Sequence, residues 1–474
     1  MTSSSSARPR LILAHSYYLR YDEKQVRKMK PYAPLGTLLA AAAVRERGHE
    51  PVFFDAMLSS GVEAFEAMLD EVDAEVVAIV EDNFNFLTKM CTLRMRRAAV
   101  RMIGAARARG CRVVVNGSDA TDRPRTYLDA GADAVILGEP EHALLEVLEA
   151  WAADPGADLG PITGLALPAP DGVRRTGFRP GLRDLDALPL PAWDLVDPDL
   201  YRDAWTRAHG RFSWNMATSR GCPYGCNWCA KPIFGRRYAQ RSPSGAAEEL
   251  SRLRSVIGPD HVWFADDIFG LTTDWIETFG AEVTRRVART PFTMQSRVNL
   301  MKPAAVAALA EAGAEEVWMG VESGSQRILD AMEKGSKVDE ARLATRNLQA
   351  VGIRACWFIQ LGYLGEEWPD ILRTRDLVRT ERPDDVGVSV SYPLPGTKFH
   401  DIVRRELGRK RNWEDTDDLA MLFHGAYTTD FYRRVRDLLH LEVAPGADRV
   451  ALDRRWDELA AEEPEYRNPV AAVG

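Results

Sequence analysis

The sequence predicts an α/β protein in which two parallel sheets follow each other along the chain. In two separate stretches, short apolar runs alternate with amphipathic helical segments, which is the pattern of strands covered by helices on both faces. A segment rich in proline and glycine separates these stretches, as a domain boundary would. The length of 474 residues also suits two or three domains better than a single core.

The first stretch, residues 1–155, predicts a doubly wound domain of five strand–helix units. The expected strands are Arg10–His15, Pro51–Asp55, Ala74–Val80, Arg112–Asn116 and Ala134–Leu137. Ligands of flavodoxin-like domains bind at the carboxyl ends of the strands. The candidates there are Gly117, Ser118 and Asp119 in one loop and Gly138 and Glu139 in the next, where glycine lets the backbone approach a ligand. The alternative is that both glycines serve only tight turns.

The second stretch predicts a partial (β/α)6 barrel over residues 206–405, with its chemistry at the carboxyl ends of the strands. The expected strands are Asn215–Thr218, His261–Phe264, Thr293–Gln295, Glu316–Met319, Ala355–Gln360 and Val386–Val390. Residues 156–205 are expected to form a Pro-rich linker, and residues 406–474 a small helical C-terminal region.

Charge and cysteine content restrict the function further. The 61 Lys and Arg residues against 69 Asp and Glu give a net charge of −8, which argues against a nucleic-acid partner. No apolar run approaches the roughly 18–20 residues that span a bilayer, so no membrane partner is expected. Three of the six cysteines fall within eight residues, which favours one metal site in a reducing cytoplasm over a disulfide framework.

The cysteine cluster lies in Ser219-Arg220-Gly221-Cys222-Pro223-Tyr224-Gly225-Cys226-Asn227-Trp228-Cys229, directly after the first strand of the second domain. Three thiolates with this C-x3-C-x2-C spacing can hold three irons of a [4Fe–4S] cluster and leave the fourth iron open to a small molecule. A structural zinc site is the alternative, but such sites usually have four protein ligands in paired spacing.

Further motifs follow in order along the second domain, nearly all of them at strand ends. They are Phe264-Ala265-Asp266-Asp267-Ile268-Phe269, Gln295-Ser296-Arg297, Gly320-Val321-Glu322-Ser323-Gly324-Ser325, Met332-Glu333-Lys334-Gly335, Gly362-Tyr363-Leu364-Gly365-Glu366-Glu367 and Tyr392-Pro393-Leu394-Pro395-Gly396-Thr397. Together with the cysteines, this series resembles the radical S-adenosylmethionine (SAM) superfamily. The resemblance implies that SAM binds the open iron and that reduction of the cluster cleaves the sulfonium to a 5′-deoxyadenosyl radical.

The same resemblance assigns the cofactor contacts. It implies that Cys222, Cys226 and Cys229 are the cluster ligands and the catalytic centre, and that Trp228 packs near the adenine of SAM. The further SAM-site candidates at strand ends are Gln295, Arg297, Ser323 and Tyr392.

Three acidic residues are candidates for the other end of SAM. By the resemblance, Asp266 and Asp267 are placed to hold the methionyl ammonium, and Glu322 to contact the ribose or the sulfonium. Adjacent strand residues point to opposite faces, so we expect only one of the two aspartates to reach the ligand. The alternative for these acids is a helix cap or a surface ion pair.

The domain order resembles the cobalamin-binding subgroup of this superfamily, with Gly117, Ser118, Asp119, Gly138 and Glu139 as the implied cobalamin contacts. The Asp-x-His-x-x-Gly motif that supplies a cobalt ligand in cobalamin mutases does not occur in residues 1–155, so no cobalt ligand is assigned. A domain that keeps the fold without the cofactor is the alternative.

The leading hypothesis is a cytoplasmic, cobalamin-dependent radical SAM enzyme that methylates an unactivated carbon of a small, natural-product type molecule. Flavodoxin or ferredoxin is the expected electron donor. Cys91, Cys111 and Cys356 are too dispersed for a second cluster, which disfavours methylthiotransferases. The alternatives are a radical oxidative cyclase similar to the anaerobic magnesium-protoporphyrin ester cyclases, a ring-rearranging enzyme, or a cobalamin or iron–sulfur sensor without turnover.

Overall fold

Both predicted parallel sheets are present in the computed structural model, which describes residues 8–84, 92–230, 233–407 and 419–469. The N-terminal sheet has the order β2-β1-β3-β4-β5-β6-β7, and its first five strands are parallel. This 2-1-3-4-5 order is the flavodoxin-like one, so the doubly wound prediction is confirmed. The strands are β1 Leu11–Ala14, β2 Val52–Phe54, β3 Val76–Val80, β4 Arg112–Asn116, β5 Ala134–Ile136, β6 Leu165–Ala169 and β7 Gly172–Arg175.

The segment 156–205 departs from the prediction of a linker. Its β6 pairs antiparallel with β5, opposite Val135, and β7 pairs antiparallel with β6, so part of the segment extends the N-terminal sheet. The buried run Leu165–Leu167 supplies the apolar side of this hairpin, and Gly172 takes φ +127° at the turn. The surrounding prolines and glycines obscured a strand signal only three apolar residues long.

The second sheet is a curved set of six parallel strands in sequential order, β15-β14-β13-β12-β11-β8, which confirms the partial barrel. A short antiparallel ribbon, β9 with β10, leaves the barrel immediately after its first strand. The strands are β8 Ser213–Met216, β9 Ser219–Arg220, β10 Ala239–Gln240, β11 His261–Phe264, β12 Phe292–Ser296, β13 Ala314–Glu322, β14 Arg354–Leu361 and β15 Asp385–Val390.

Helices cover both faces of the first sheet and the outside of the second. Those of the N-terminal part are α1 Glu23–Lys28, α2 Leu35–Glu46, α3 Val62–Glu71, α4 Thr92–Ala108, α5 Ser118–Asp122, α6 Pro124–Asp129, α7 Pro140–Ala153 and α8 Pro198–His209. The others are α9 Pro243–Val256, α10 Thr273–Arg285, α11 Pro303–Ala312, α12 Gln326–Ala331, α13 Val338–Ala350, α14 Trp368–Glu381, α15 Lys398–Val403, α16 Thr429–Val443 and α17 Arg449–Glu462. Among the described helices, none is long and apolar enough to cross a membrane.

The two domains share a core. Residues Ile12 and Leu11 of β1 face two separate apolar clusters, one on each side of the N-terminal sheet. A third cluster fills the barrel and also includes Leu38 of α2 and Met57, which belong to the N-terminal domain. Burying an apolar side chain of this size contributes about 1.5–3 kcal/mol, so these contacts hold the carboxyl edge of the first sheet against the barrel.

Candidate functional site

The cysteine loop, residues 221–229, begins with a tightly packed glycine. Gly221 has φ +78°, and a Cβ there would overlap the carbonyl oxygen of Arg237 and lie 3.0 Å from that of Gly235. The amide of Cys222 donates to the same Gly235 carbonyl at 3.4 Å. Because only glycine tolerates this approach, the sequence at position 221 fixes how the loop leaves β9.

The middle of the cysteine loop is anchored by Asn227. Its backbone N–H donates to the Met332 carbonyl at 3.1 Å, and its side-chain amide donates to the Ala331 carbonyl at 2.8 Å. Its side-chain oxygen accepts from the Tyr363 hydroxyl at 2.9 Å, and its carbonyl accepts from the Phe399 amide at 3.0 Å. These contacts tie the loop to the segments that follow α12, β14 and β15.

The three predicted cluster cysteines differ in exposure. Cys222 and Cys226 are 9% and 8% exposed, and Cys229 is half-buried. Among the described residues, no three His, Cys, Asp or Glu side chains could hold a single metal ion. In a [4Fe–4S] cluster each thiolate binds a different iron, so its ligands need not converge on one point. The assignment of these cysteines as cluster ligands stays a prediction.

A cation lies beside the second cysteine. The guanidinium of Arg297, 4% exposed, donates to Cys226 Sγ at 3.5 Å and stacks 3.8 Å from the ring centroid of Tyr224. It also donates to the carbonyl of Lys334. A cysteine that binds metal does so through its sulfur, which accepts a hydrogen bond from such a donor. Arg297 therefore contacts the cysteine loop directly, through Cys226 and Tyr224.

A buried ion pair forms another wall of the site. Lys334 Nζ lies 2.6 Å from Glu322 Oε1, and both side chains are 6% exposed. Glu322 ends β13 with φ +65°. The ammonium of Lys334 also lies 6.0 Å from the ring centroid of Trp228. The indole N–H of Trp228 is buried and finds no hydrogen-bond partner among the described residues, which fits an acceptor supplied by a bound molecule.

The two adjacent aspartates are placed differently. Asp266 is buried and accepts hydrogen bonds from the Thr218 amide and hydroxyl and from the Ser219 hydroxyl. Burial raises the pKa of Asp266 to about 6, against the effect of these hydrogen bonds. Asp267 is exposed. The structure thus shows Asp266 supporting the exit of β8, and the role of either acid toward a ligand stays a prediction.

The other predicted SAM contacts lie at the same edge of the barrel. Gln295 lies near the end of β12 and is half-buried, and Tyr392 follows β15 and packs against the barrel core. Ser323 follows β13, is fully buried, and accepts from the Ser325 amide at 3.1 Å. Parallel strands end at one edge, which is why motifs far apart in sequence meet here.

The N-terminal sheet carries a cleft at the carboxyl ends of its strands. The cleft is lined by Ser16, Glu81, Ser118, Asp119 and Tyr127, among others. The hydroxyl of Ser118 is buried without a partner among the described residues. A buried donor of this kind in a cleft fits a polar arm of a large cofactor.

Asp119, predicted as a cobalamin contact, is already engaged within the protein. Its carboxylate pairs with Arg96 at 2.5 Å and accepts from the Tyr127 hydroxyl at 2.7 Å. Glu81, on the opposite side of the cleft, accepts from the Ser16 hydroxyl at 2.5 Å, and burial raises its pKa. Within this loop, the backbone and the Ser118 hydroxyl remain the groups best placed for a ligand.

The second predicted loop, Gly138-Glu139, faces the barrel. Gly138 has φ +87°, and its carbonyl accepts from the Asn116 side chain at 2.8 Å. Glu139 pairs with Arg220 at 2.5 Å, immediately before the cysteine loop. The two loops therefore lie at one edge of the sheet and have different partners.

The remaining cysteines lie apart from the site. Cys111 is buried in the N-terminal domain with its Sγ 3.2 Å from the Ala74 carbonyl, and Cys356 is buried in β14. Burial raises the pKa of both thiols. None of the five described cysteines forms a disulfide, and Cys91 lies outside the described residues.

Three site residues, Arg220, Asn227 and Lys334, had no role assigned from the sequence. Each lies within a motif that the sequence did single out, yet each is defined by partners far along the chain, such as Glu141 and Ala331. For Asn227, an amide residue inside the cysteine loop was the available signal, and for Arg220 and Lys334 it was a charged residue within a motif.

Comparison with known proteins agrees with this geometry. Residues 216–378 match the Radical SAM superfamily. An uncharacterized methyltransferase of Pyrococcus horikoshii is 28% identical over 305 residues, covering 64% of this chain and 65% of that protein. The anaerobic magnesium-protoporphyrin IX monomethyl ester cyclase of Rubrivivax gelatinosus is 27% identical over 285 residues, 59% of this chain and 49% of that protein.

One solved structure extends the similarity to both domains. It is that of the radical S-adenosylmethionine methyltransferase TsrM from Kitasatospora setae with cobalamin and a [4Fe–4S] cluster bound. The TM-score is 0.69 at 19% identity, with 85% of this chain and 79% of that chain covered. This similarity is one of fold. The chain spans less than two thirds of the length of both relatives described above.

Proposed function

We propose that this protein is a cobalamin-dependent radical SAM enzyme that methylates an unactivated carbon of a small molecule. The proposal starts from the match of residues 216–378 to the Radical SAM superfamily. The carrying observation is that Arg220, immediately before the cysteine loop, contacts Glu139 in a strand-end loop of the N-terminal sheet. A cofactor at the N-terminal edge and a cluster on the cysteines would thus face a common region.

The residues present fit the three groups in distinct ways. Cys222, Cys226 and Cys229 supply soft sulfur ligands for a [4Fe–4S] cluster. The indole N–H of Trp228 offers SAM a donor and the hydroxyl of Ser118 offers one to cobalamin, since neither has a partner in the part of the chain that the structure describes. When bound, these groups supply reductive cleavage of SAM and transfer of a methyl group.

The protein contributes charge placement and exclusion of water. Arg297 donates to Cys226 Sγ, and the buried Lys334–Glu322 pair keeps charge of both signs in the wall beside Trp228. Buried, fixed charges interact more strongly than solvated ones and need no rearrangement during the reaction. We propose that these groups orient SAM over the cysteine loop.

Product analysis tests the assignment. The chain is reconstituted anaerobically with iron, sulfide and cobalamin, reduced with dithionite and given SAM and candidate substrates. Methylation should produce both 5′-deoxyadenosine and S-adenosylhomocysteine, and Cys229→Ala should abolish the first product. Buried Cys111 changed to Ala is the matched control and should retain both. Turnover that yields only 5′-deoxyadenosine would contradict methyl transfer.

Oxidative cyclisation is the second candidate, favoured by the 27% identity to the Rubrivivax gelatinosus cyclase over 59% of this chain. It predicts 5′-deoxyadenosine and an oxidised substrate, with no S-adenosylhomocysteine. A cluster that forms and never cleaves SAM with any substrate would instead favour a sensor.

The proposal includes a cytoplasmic location and a flavodoxin or ferredoxin as electron donor. The half-buried Cys229 and the exposed Pro223 and Gly225 bring the cysteine loop to the surface, which supports electron delivery from a partner protein. Purified flavodoxin is mixed with the cluster-loaded protein, and the visible absorbance of the cluster reports whether flavodoxin reduces it. This measurement tests the donor.

A further inference from the structure

Arg220 joins the two domains through one buried guanidinium. Its Nη1 lies 2.5 Å from Glu139 and its Nη2 lies 2.6 Å from Glu141, and both acids belong to the N-terminal domain. The three side chains are 4%, 10% and 2% exposed, respectively. Arg220 belongs to β9 and precedes Cys222 by two residues. The buried network of Arg220, Glu139 and Glu141 therefore lies directly at the start of the cysteine loop.

The surroundings of Arg220 fix its position from several sides. The rings of Phe84 and Phe234 lie 5.6 and 5.4 Å from the guanidinium carbon. Glu139 also accepts from the Leu182 amide at 3.1 Å, so its carboxylate is tied to the segment after the β6–β7 hairpin. Planar guanidinium groups bind two carboxylates in fixed directions, which a lysine cannot reproduce.

The loop that carries Glu139 and Glu141 is itself held at the carboxyl edge of the N-terminal sheet, where a ligand is expected. Asn116, at the end of β4, donates to the Gly138 carbonyl at 2.8 Å. A Cβ at Gly138 would lie 3.9 Å from the carbonyl oxygen of Ile233, close beyond the cysteine loop. The loop that carries Glu139 therefore lies close to the segment that follows the cysteine loop.

We propose that Arg220 is a positioning residue through which Glu139 and Glu141 of the N-terminal domain set the geometry and the electrostatic surroundings of the cluster on the cysteine loop. The inference rests on the proposed function only in that a cluster binds at these cysteines. It assigns Glu139 a role toward the barrel in place of a direct cofactor contact.

The charges give the proposal a direction. One guanidinium and two carboxylates leave the network with a net negative charge beside the cluster. Replacing either carboxylate by an amide removes one negative charge, so adding an electron to the cluster becomes easier and its reduction potential rises. The same change loosens the hold on Arg220, so a chelator should remove iron faster, by about fivefold or more.

The test compares Glu139→Gln and Glu141→Gln with the wild type in the full chain, each reconstituted anaerobically with a [4Fe–4S] cluster. Glu149→Gln is the control, because Glu149 is exposed on the same helix, α7, that begins beside Glu139. Electron paramagnetic resonance during a potentiometric titration gives the reduction potential, and bathophenanthroline gives the rate of iron loss. Both amide variants should show a higher potential and faster loss, and the control should match the wild type.

Arg220→Lys is a second variant that keeps the positive charge and loses the double contact. Arg220→Lys should lose iron faster than the wild type, with little change in the reduction potential of the cluster. This variant tests the positioning role independently of how well the two amide variants fold. The inference would be overturned if all three variants kept the wild-type reduction potential and rate of iron loss. It would also be overturned if Glu149→Gln changed as much as they do. Either result leaves the proposed function intact. Failure of the wild-type chain to take up a cluster would instead contradict the proposed function.

Discussion

Glu322 holds a backbone conformation that costs energy, and its partner explains why it persists. Its φ is +65°, in the left-handed region where side chains other than glycine are uncommon, and its carboxylate lies 2.6 Å from Lys334 Nζ. Both groups are buried, so each charge depends on the other for compensation. The strain and the ion pair together fix the end of β13 at the predicted SAM site.

Lys334→Met tests this dependence. The variant leaves the Glu322 carboxylate buried without its countercharge, so the free energy of unfolding should fall by about 3–5 kcal/mol. Urea unfolding of the apo chain measures it. The control is Lys337→Met, whose ammonium is 69% exposed and 4.0 Å from Asp330, and which should change stability by less than about 1 kcal/mol. Equal losses of unfolding free energy in the two variants would show that the Glu322 carboxylate does not depend on Lys334 for its countercharge.

Trp228→Phe separates packing from ligand recognition at a single residue. An aromatic ring remains to pack against the apolar cluster that includes Ile328 and Met332, while the buried indole N–H disappears. Stability of the apo chain should therefore hold or improve, because a buried unsatisfied donor is costly. Binding of SAM to the cluster-loaded protein, measured anaerobically by calorimetry, should weaken about five- to tenfold for the lost hydrogen bond. Unchanged affinity would mean that the N–H does not face the ligand.

At the scale of elements, the ribbon of β9 and β10 depends on close backbone packing at Gly221. Gly221→Ala would force a methyl group into the carbonyls of the Arg237 segment, and the free energy of unfolding should fall by about 3 kcal/mol or more. Gly210→Ala is the matched control, because Gly210 ends α8 at φ +70° with no atom within 4 Å of a Cβ. It should lose only about 1 kcal/mol, from the backbone conformation alone.

Thermal unfolding and iron uptake both report on Gly221→Ala. Uptake should be lost in this variant and retained in Gly210→Ala, because Cys222 follows the displaced residue. Similar losses of stability in both variants would assign the effect to the positive φ rather than to the packing.

Elements were predictable where the signal was local. Strands of the first domain carry runs of apolar β-branched residues, such as Val76–Val80, and such runs indicate burial from the sequence alone. The β6–β7 hairpin was missed because its apolar run is short and prolines surround it. The same limit applies to the site, since Arg220 and Asn227 take their roles from residues about 80 and 104 positions away.

At the scale of the whole molecule, the two domains form one unit around the site. The apolar cluster that fills the barrel includes Leu38 and Met57 of the N-terminal domain, and the Arg220 network adds buried charge at the same boundary. Apolar contact supplies non-directional adhesion, whereas the ion network fixes one relative orientation. A cofactor on one domain and a substrate on the other can thus be held at a constant separation.

The protein also buries carboxyl groups, and these make its stability depend on pH. Burial raises the pKa of Glu366, in the loop after β14, to about 8, although the Gly362 amide donates to its carboxyl group. The folded chain therefore keeps this proton up to about pH 8, whereas an unfolded chain releases it near the ordinary value of 4.5. Between those limits the folded state binds more protons, so the free energy of unfolding falls as the pH rises, by about 1.4 kcal/mol per pH unit.

Glu366→Gln fixes a neutral side chain in both states and removes this dependence. Its stability relative to the wild type should rise by about 1.4 kcal/mol per pH unit between pH 5 and 8, measured by urea unfolding at each unit. Asp266 and Glu249, with pKa values raised to about 6 and about 7 by burial, contribute to the wild-type slope, so the difference between the two proteins is the informative quantity. The exposed Glu311→Gln should show no such trend. A difference that stays constant with pH would mean that Glu366 is ionised in the folded chain, and that a further group near Gly362 compensates its charge.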